Sequence, residues 1–199
     1  MPTCSPVRRR GEILREAVFA AALAEIAENG LRGSSMDRIA RRASTGKSAL
    51  YRRWPNVRAL ALDVFVTTLE ESLPADPPDT GSLREDLLVG LRIFIQQLNG
   101  SLGLVVRELI SESLHDPALA QEFQSRFGQG KERETIVVVQ QAMARGEIPV
   151  QSIDPYVLQL PAAITIHQLL LGGRAPTEDE IAHVIDAIVL PLLKAPAHV

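Results

Sequence analysis

The sequence holds one cysteine, Cys4, so neither a disulfide within the chain nor a thiolate metal cluster can form, as expected of a reducing compartment. Aromatic residues are few, one Trp, two Tyr and five Phe, which leaves Leu, Ile, Val and Ala to fill the interior. No run approaches the roughly 18 to 20 apolar residues of a membrane span, and no signal-peptide hydrophobic stretch follows the arginine-rich start. The expected place is the cytoplasm, with no membrane partner. Strand-like alternation followed by a hairpin signal is absent. The four histidines, His115, His167, His183 and His198, are scattered, and no Gly-rich phosphate loop or nucleophile elbow occurs. His115-Asp116 has the look of a phosphohydrolase dipeptide, but Pro117 makes it a helix start. No metal, cofactor or enzymatic activity is therefore expected.

What is present is ordinary soluble composition, 46% hydrophobic and 23% charged over 199 residues, enough for one large domain or two small ones. The net charge of -3 conceals an asymmetry. Residues 1–60 carry 12 Lys and Arg against 5 Asp and Glu, whereas residues 61–199 carry 9 against 19. A basic unit joined to an acidic body suggests a nucleic-acid-binding part attached to one that repels phosphate, or else a basic face that is merely solvated.

Helical periodicity dominates, and the chain reads as all-α with about nine helices. The first spans about Gly11 to Asn29, with Gly30 as its stop. A short second follows a capping box of Ser34 and Asp37, a third covers Lys47 to Trp54, and a fourth reaches about Ser72. Leu73 to Gly81, with three prolines, is a loop. A box of Ser82 and Glu85 opens the fifth helix, which runs to about Gln97, and the sixth spans Gly103 to Leu114. Asp116-Pro117 starts a long helix to about Arg145 that Gly128 and Gly130 bend, Asp154-Pro155 starts one ending near Gly172, and Thr177 with Glu180 boxes the last, to about Lys194.

The pair of short helices around Ser44, Thr45 and Gly46 has the layout of a helix-turn-helix. Leu50 and Trp54 share one face of the second helix and pack inward, while Ser48, Ala49 and Arg52 form the other, flanked by Lys47, Tyr51 and Arg53. Small residues at the helix start admit its backbone to a major groove, and the flanking side chains reach base edges or phosphates. Ser34 is counted with these contacts. Arg8, Arg9 and Arg10 are either a minor-groove arm or a solubilising tail. Arg41 and Arg42 are either phosphate ligands or solvated charge.

Val18 to Gly30, then Met36-Asp-Arg-Ile-Ala-Arg-Arg-Ala43, then Lys47-Ser-Ala-Leu-Tyr-Arg-Arg-Trp-Pro55 and Leu60, resemble the DNA-binding domain of the TetR family of transcriptional repressors. The resemblance covers residues 11–60. Beyond residue 61 it is looser, although His115-Asp-Pro-Ala-Leu, Arg145-Gly-Glu-Ile and Asp154 are similar to one subgroup of the family's C-terminal domains. It implies a three-helix DNA-binding head, 1–60, on a helical effector-binding and dimerisation body, 61–199. The chain departs from the family's pattern in the turn, where Ser44-Thr-Gly46 replaces Gly, a small apolar residue and Ser, and at Val57, where a phosphate-holding Lys is usual. Arg58 stands next to that position as a substitute.

Within the body, Phe94, Gln97, Phe123 and Phe127 are candidate effector contacts, chosen because family pockets lie between the middle helices. His167, on a mostly apolar helix, is either a polar anchor in that pocket or a satisfied core or interface residue. The last two helices carry more apolar surface than one buried face requires: Leu158, Ala162, Ala163, Ile166 and Leu170 on one, Ile181, Ile185, Ile188, Val189 and Leu192 on the other. Such a surplus suggests a homodimer built as a four-helix bundle. The expected function is a repressor that binds a palindromic double-stranded operator as a homodimer and releases it to an apolar or weakly polar small molecule. The alternatives are a DNA-binding regulator controlled by a protein partner and a helical interaction module that has lost DNA binding.

Overall fold

A computed structural model describes the backbone of residues 6–150 and 154–195 and, within those, all side chains but those of residues 6–10 and 129–134. Cys4 and His198 lie outside the described residues. Among the described residues there is no strand, and the order is α1 (Pro6–Gly33), α2 (Met36–Arg42), α3 (Lys47–Tyr51), α4 (Val57–Ser72), α5 (Leu83–Asn99), α6 (Ser101–Ser113), α7 (Pro117–Phe123), α8 (Gln129–Ala144), α9 (Pro155–Leu171), α10 (Glu178–Val184) and α11 (Leu190–Lys194). A π turn, Gln124–Gly128, joins α7 to α8, and another, Ile185–Val189, joins α10 to α11. The chain is all-α, as its periodicity predicts.

Helix α1 begins earlier than the sequence suggests, at Pro6, which puts Arg8, Arg9 and Arg10 on its first turns instead of ahead of it; their side chains lie outside the described residues. At its other end Gly30 takes φ 66°, ψ 170° and kinks the helix. That left-handed φ suits glycine. The kink frees the Leu31 N–H, which donates to Glu108 Oε2 at 2.8 Å.

The cap of α2 is Ser35, not Ser34. Ser35 Oγ accepts from Arg38 N–H, whereas Ser34 Oγ is engaged with the Gly30 carbonyl at 2.6 Å and cannot serve the next helix. The turn before α3 puts Ser44 at φ 50°, the left-handed region, while Gly46 has an ordinary φ of −78° as N-cap. Helix α3 ends at Tyr51, three residues short of the expected Trp54, with Leu50 accepting from the amides of both Arg53 and Trp54. Leu50 and Trp54 are buried, and Trp54 meets Phe19 of α1 with ring centroids 6.1 Å apart. Burying an aliphatic side chain of this size stabilises by about 1.5–3 kcal/mol, and Leu50 of α3 and Ile39 of α2 are both buried in the head's core.

In the body, loop 73–82 leads into α5, but the Ser82–Glu85 box does not form. The Leu83 amide donates instead to Glu147 Oε2 at 2.8 Å, and Glu147 is also held by Arg145, which binds Asp86 as well. One long-range carboxylate, that of Glu147, does the capping there. Asp116, Asp154 and the Thr177–Glu180 box cap α7, α9 and α10 as their sequences predict. Pro191 has no N–H to offer the carbonyl one turn back, and the wider turn Ile185–Val189 directly before it accommodates the loss. Among the described residues no single helix is long and apolar enough to cross a membrane; α5 and α6 together would be, but they bend by 85° at their junction.

Candidate DNA interface and effector cavity

Helix α3 stands outward on the turn that Ser44 closes. Lys47, Ser48, Tyr51, Arg52 and Arg53 are exposed, Tyr51 by 51%, and Ala49 is half-buried between them. The backbone of the first turn is therefore approachable, with small side chains in front and long ones on both flanks. Arg53 lies over the Trp54 ring at 5.1 Å, so its planar cation is held against the helix end.

The cationic surface is smaller than the sequence suggests, because acids of the head already engage part of it. Glu25 is fully buried and pairs with Arg38 and Arg42, a charge that would be costly if left alone. Arg42 also grips Glu28, whose carboxyl is held below its ordinary value chiefly by that hydrogen bond. Lys47 pairs with Asp37 across the turn. Arg41 and Arg52 have no such partner among the described residues. Arg42 thus serves the head's own packing, and Arg41 is the residue of that pair left for solvent or phosphate.

Arg58 is also occupied. Its Nε and Nη2 donate to Glu112 Oε2 at 3.1 and 3.0 Å, while Arg32 holds Oε1 of the same buried carboxylate. Hydrogen bonds from the two guanidiniums, Arg32's first, lower the Glu112 carboxyl below its ordinary value despite burial. Glu108 and Glu112, one turn apart on α6, thereby bind α1 and α4 to the body. A second tie runs through Asp63 of α4. Its Oδ2 accepts from Trp54 Nε1 at 2.9 Å and its Oδ1 from Arg126 Nη2 at 2.7 Å. The sequence does not announce these joints, since apart from Trp54 and Asp63, 9 residues apart, the partners lie 54 to 80 residues apart.

Between α5, the Gln124–Gly128 turn, α8 and α9 lies a cavity of about 600 Å³. Phe94, Phe123, Phe127 and His167 line it, together with Leu87, Leu91, Val138, Leu158 and Ile166. Gln97 does not line it. The α5 stripe facing the space, Asp86, Gly90 and Phe94, ends where the Phe94 ring meets Phe127 at 5.7 Å, and half-buried Gln97 lies beyond that contact. Polar lining comes instead from Gln124, Gln159, Thr135 and His167. Asp86 also reaches the wall, but Thr80 and Arg145 already occupy its two oxygens. His167 is exposed at the rim, not buried in the core.

The apolar surplus of the last helices is partly core. Leu158, Ile181, Ile185 and Val189 are buried within the chain. Ile188 and Leu192 remain outside, 39% and 47% exposed, as do Leu170 and Leu171 on α9. The outward face is thus narrower than the sequence suggests and borders the rim at His167.

A family described as bacterial regulatory proteins, tetR family, matches residues 18–64, and one described as tetracyclin repressor-like, C-terminal domain, matches residues 77–188. An HTH-type transcriptional regulator of Mycobacterium tuberculosis is 30% identical over 176 residues, 88% of this chain and 86% of its own. The DNA-binding transcriptional repressor TetR of Mycobacteroides abscessus is 27% identical over 186 residues, 93% of this chain and 96% of its own. Among solved structures, a TetR family transcription regulator superposes with a TM-score of 0.71 at 24% identity, covering 88% of this chain and 96% of that one.

Proposed function

The chain belongs to the tetR family of bacterial regulatory proteins, helix-turn-helix DNA-binding regulators and not enzymes, and from that premise we propose that it is a repressor released from its operator by a small molecule. The observation that carries the ligand response is the cavity, about 600 Å³ and walled largely by apolar side chains. A site of that kind takes an apolar or weakly polar molecule oriented by a few polar groups. Gln124, Gln159 and His167 are those groups here. Phe94, Phe123 and Phe127 supply flat contact area.

On the DNA side, α3 enters the major groove with Ser48 and Ala49 leading. Lys47 and Arg52 contact bases or phosphates, and Tyr51, Arg53 and Ser34 hold the backbone. Arg58 reaches a phosphate by exchanging Glu112 for it, and Arg8, Arg9 and Arg10 extend the contact from the start of α1. The operator is palindromic because the regulator is a homodimer, joined through Leu170, Leu171, Ile188 and Leu192. The division into head, 1–60, and body, 61–199, falls within α4, which belongs mechanically to both.

The test selects duplexes from a random pool and measures their affinity with and without candidate apolar compounds. Enrichment of a sequence with two half-sites about 34–36 Å apart is expected, and a ligand that binds should weaken the complex about 5- to 150-fold. A preparation that enriches no sequence overturns the operator reading. Light scattering at the mass of one 21.7 kDa chain overturns the dimer.

A further inference from the structure

The Gln124–Gly128 π turn faces two ways. On one side Gln124, Phe127 and Gly128 line the cavity; on the other, Arg126 leaves the turn toward α4 and binds Asp63. Asp63 in turn accepts from the indole of Trp54, three residues past the end of the DNA-reading helix. We propose that Asp63 and Arg126 are positioning residues for α3, through which the cavity wall sets the orientation of the DNA-reading helix. The proposal rests on the operator and effector readings above and names the connection between them.

Three features of the geometry argue for it. The two oxygens of one carboxylate are divided between the head and the body, so Asp63 satisfies both donors only in one placement of α4 relative to the turn. Both bonds end on a charged acceptor, but only Arg126 adds a full positive charge, so its ion pair makes the body end the stronger hold on the carboxylate. Beside this bond, Phe65, two residues further along α4, packs on Phe123 and Phe127 with centroids 5.8 and 5.1 Å away. The same two rings line the cavity. An occupant that displaces them therefore shifts the backbone that carries Arg126 and presses on α4 at once. A π turn suits this task, since such single-turn interruptions are less regular than the α-helix around them and concentrate at functional sites.

Trp54 is the chain's single tryptophan, which gives the connection a spectroscopic readout. Arg126→Gln removes the cation and leaves the lining intact. We expect the emission of Trp54 to change in Arg126→Gln without ligand and to return in Arg126→Lys. Affinity for the duplex selected by the wild type should fall more than affinity for random duplex. Combined with Trp54→Phe, which deletes the indole donor, Arg126→Gln should be non-additive in binding that duplex by roughly 2- to 10-fold, because both side chains act through Asp63. Additive effects with unchanged Trp54 emission overturn the proposal. Should Arg126→Gln fail to fold, Arg126→Lys in the same cycle supplies the measurement.

Coupling to the cavity is read by titrating 1-decanol, whose binding is followed by calorimetry. In the wild type Trp54 emission should respond as the cavity fills, and in Arg126→Gln decanol should bind with little response. Equal responses in the two, or binding without any response in the wild type, overturn the connection. If decanol gives no heat at either of two well-separated temperatures, the effector reading of this cavity fails, and the ligand-free cycle decides the positioning role by itself.

Discussion

The head is filled and the body is hollow. In the head, Val18, Ala22, Ile26, Ile39, Leu50 and Trp54 leave little side-chain surface exposed, so its helices have one way to fit together. The body is larger and holds four of the five phenylalanines, yet three of them, Phe94, Phe123 and Phe127, line an open space of about 600 Å³. A filled core moves as a rigid piece, whereas a wall beside a void has room to rearrange. The contrast suggests a division of labour in which the body deforms and the head is carried.

That contrast is most directly broken at Leu50. Leu50→Ala should lose about 2–5 kcal/mol in denaturant unfolding, as for other fully buried leucines. Next comes the joint. Glu112→Gln exchanges a charged acceptor of two guanidiniums for a neutral one, and a loss of about 1.5–3 kcal/mol is expected at neutral pH. Because the folded carboxyl titrates below its ordinary value of 4.5, its contribution is whole above that pH and disappears as the pH falls through the lower folded value. Wild type and Glu112→Gln should therefore converge in stability in acid.

A matched pair sharpens the comparison at smaller scale. Ala22→Leu, in the filled head, should cost about 1–3 kcal/mol by overpacking, and Ala162→Leu, on the cavity wall, clearly less. Equal costs would mean that the space in the body is not available to a side chain. The smallest effect is expected at Ser44, whose left-handed φ disfavours any residue with a Cβ. Ser44→Gly should gain up to about 1 kcal/mol in thermal unfolding, the strain relieved being partly offset by the freedom glycine adds to the unfolded chain.

Local signals were legible in the sequence. The Asp116, Asp154 and Thr177 caps, the loop after Ser72 and the inward pair Leu50 and Trp54 all act within one or two turns of chain, and all are found. What local sequence does not show depends on distant partners. Ser82 and Glu85 look like a box until Glu147, 64 residues beyond Leu83, takes the amide. Lys47 and Arg58 look free until Asp37 and Glu112 approach them. Phe94, Phe123, Phe127 and His167 meet at the cavity while Gln97 does not, because the side chain that closes a stripe is set by a neighbouring helix and not by its own periodicity. The surplus assigned to Ile181, Ile185 and Val189 was overestimated for the same reason: α5 and α9 cover them.

The turn at Ile185–Val189 has a consequence for insertions and deletions. Ile181, Ile185, Val189 and Leu193 are all buried, at a strict spacing of four. In a regular helix such a row would wind steadily away from the core, and the wider turn brings it back. It acts as one supernumerary residue that keeps the final helix in phase. Deleting a single residue there, for instance Ala187, would restore regular winding and leave Leu190–Lys194 in the same angular phase, because a regular helix makes the same rotation with one residue fewer. Leu193 would then stay in the interior, so this stretch should tolerate the loss of one residue far better than the gain of one, which in regular winding would turn Leu193 outward by about 100°.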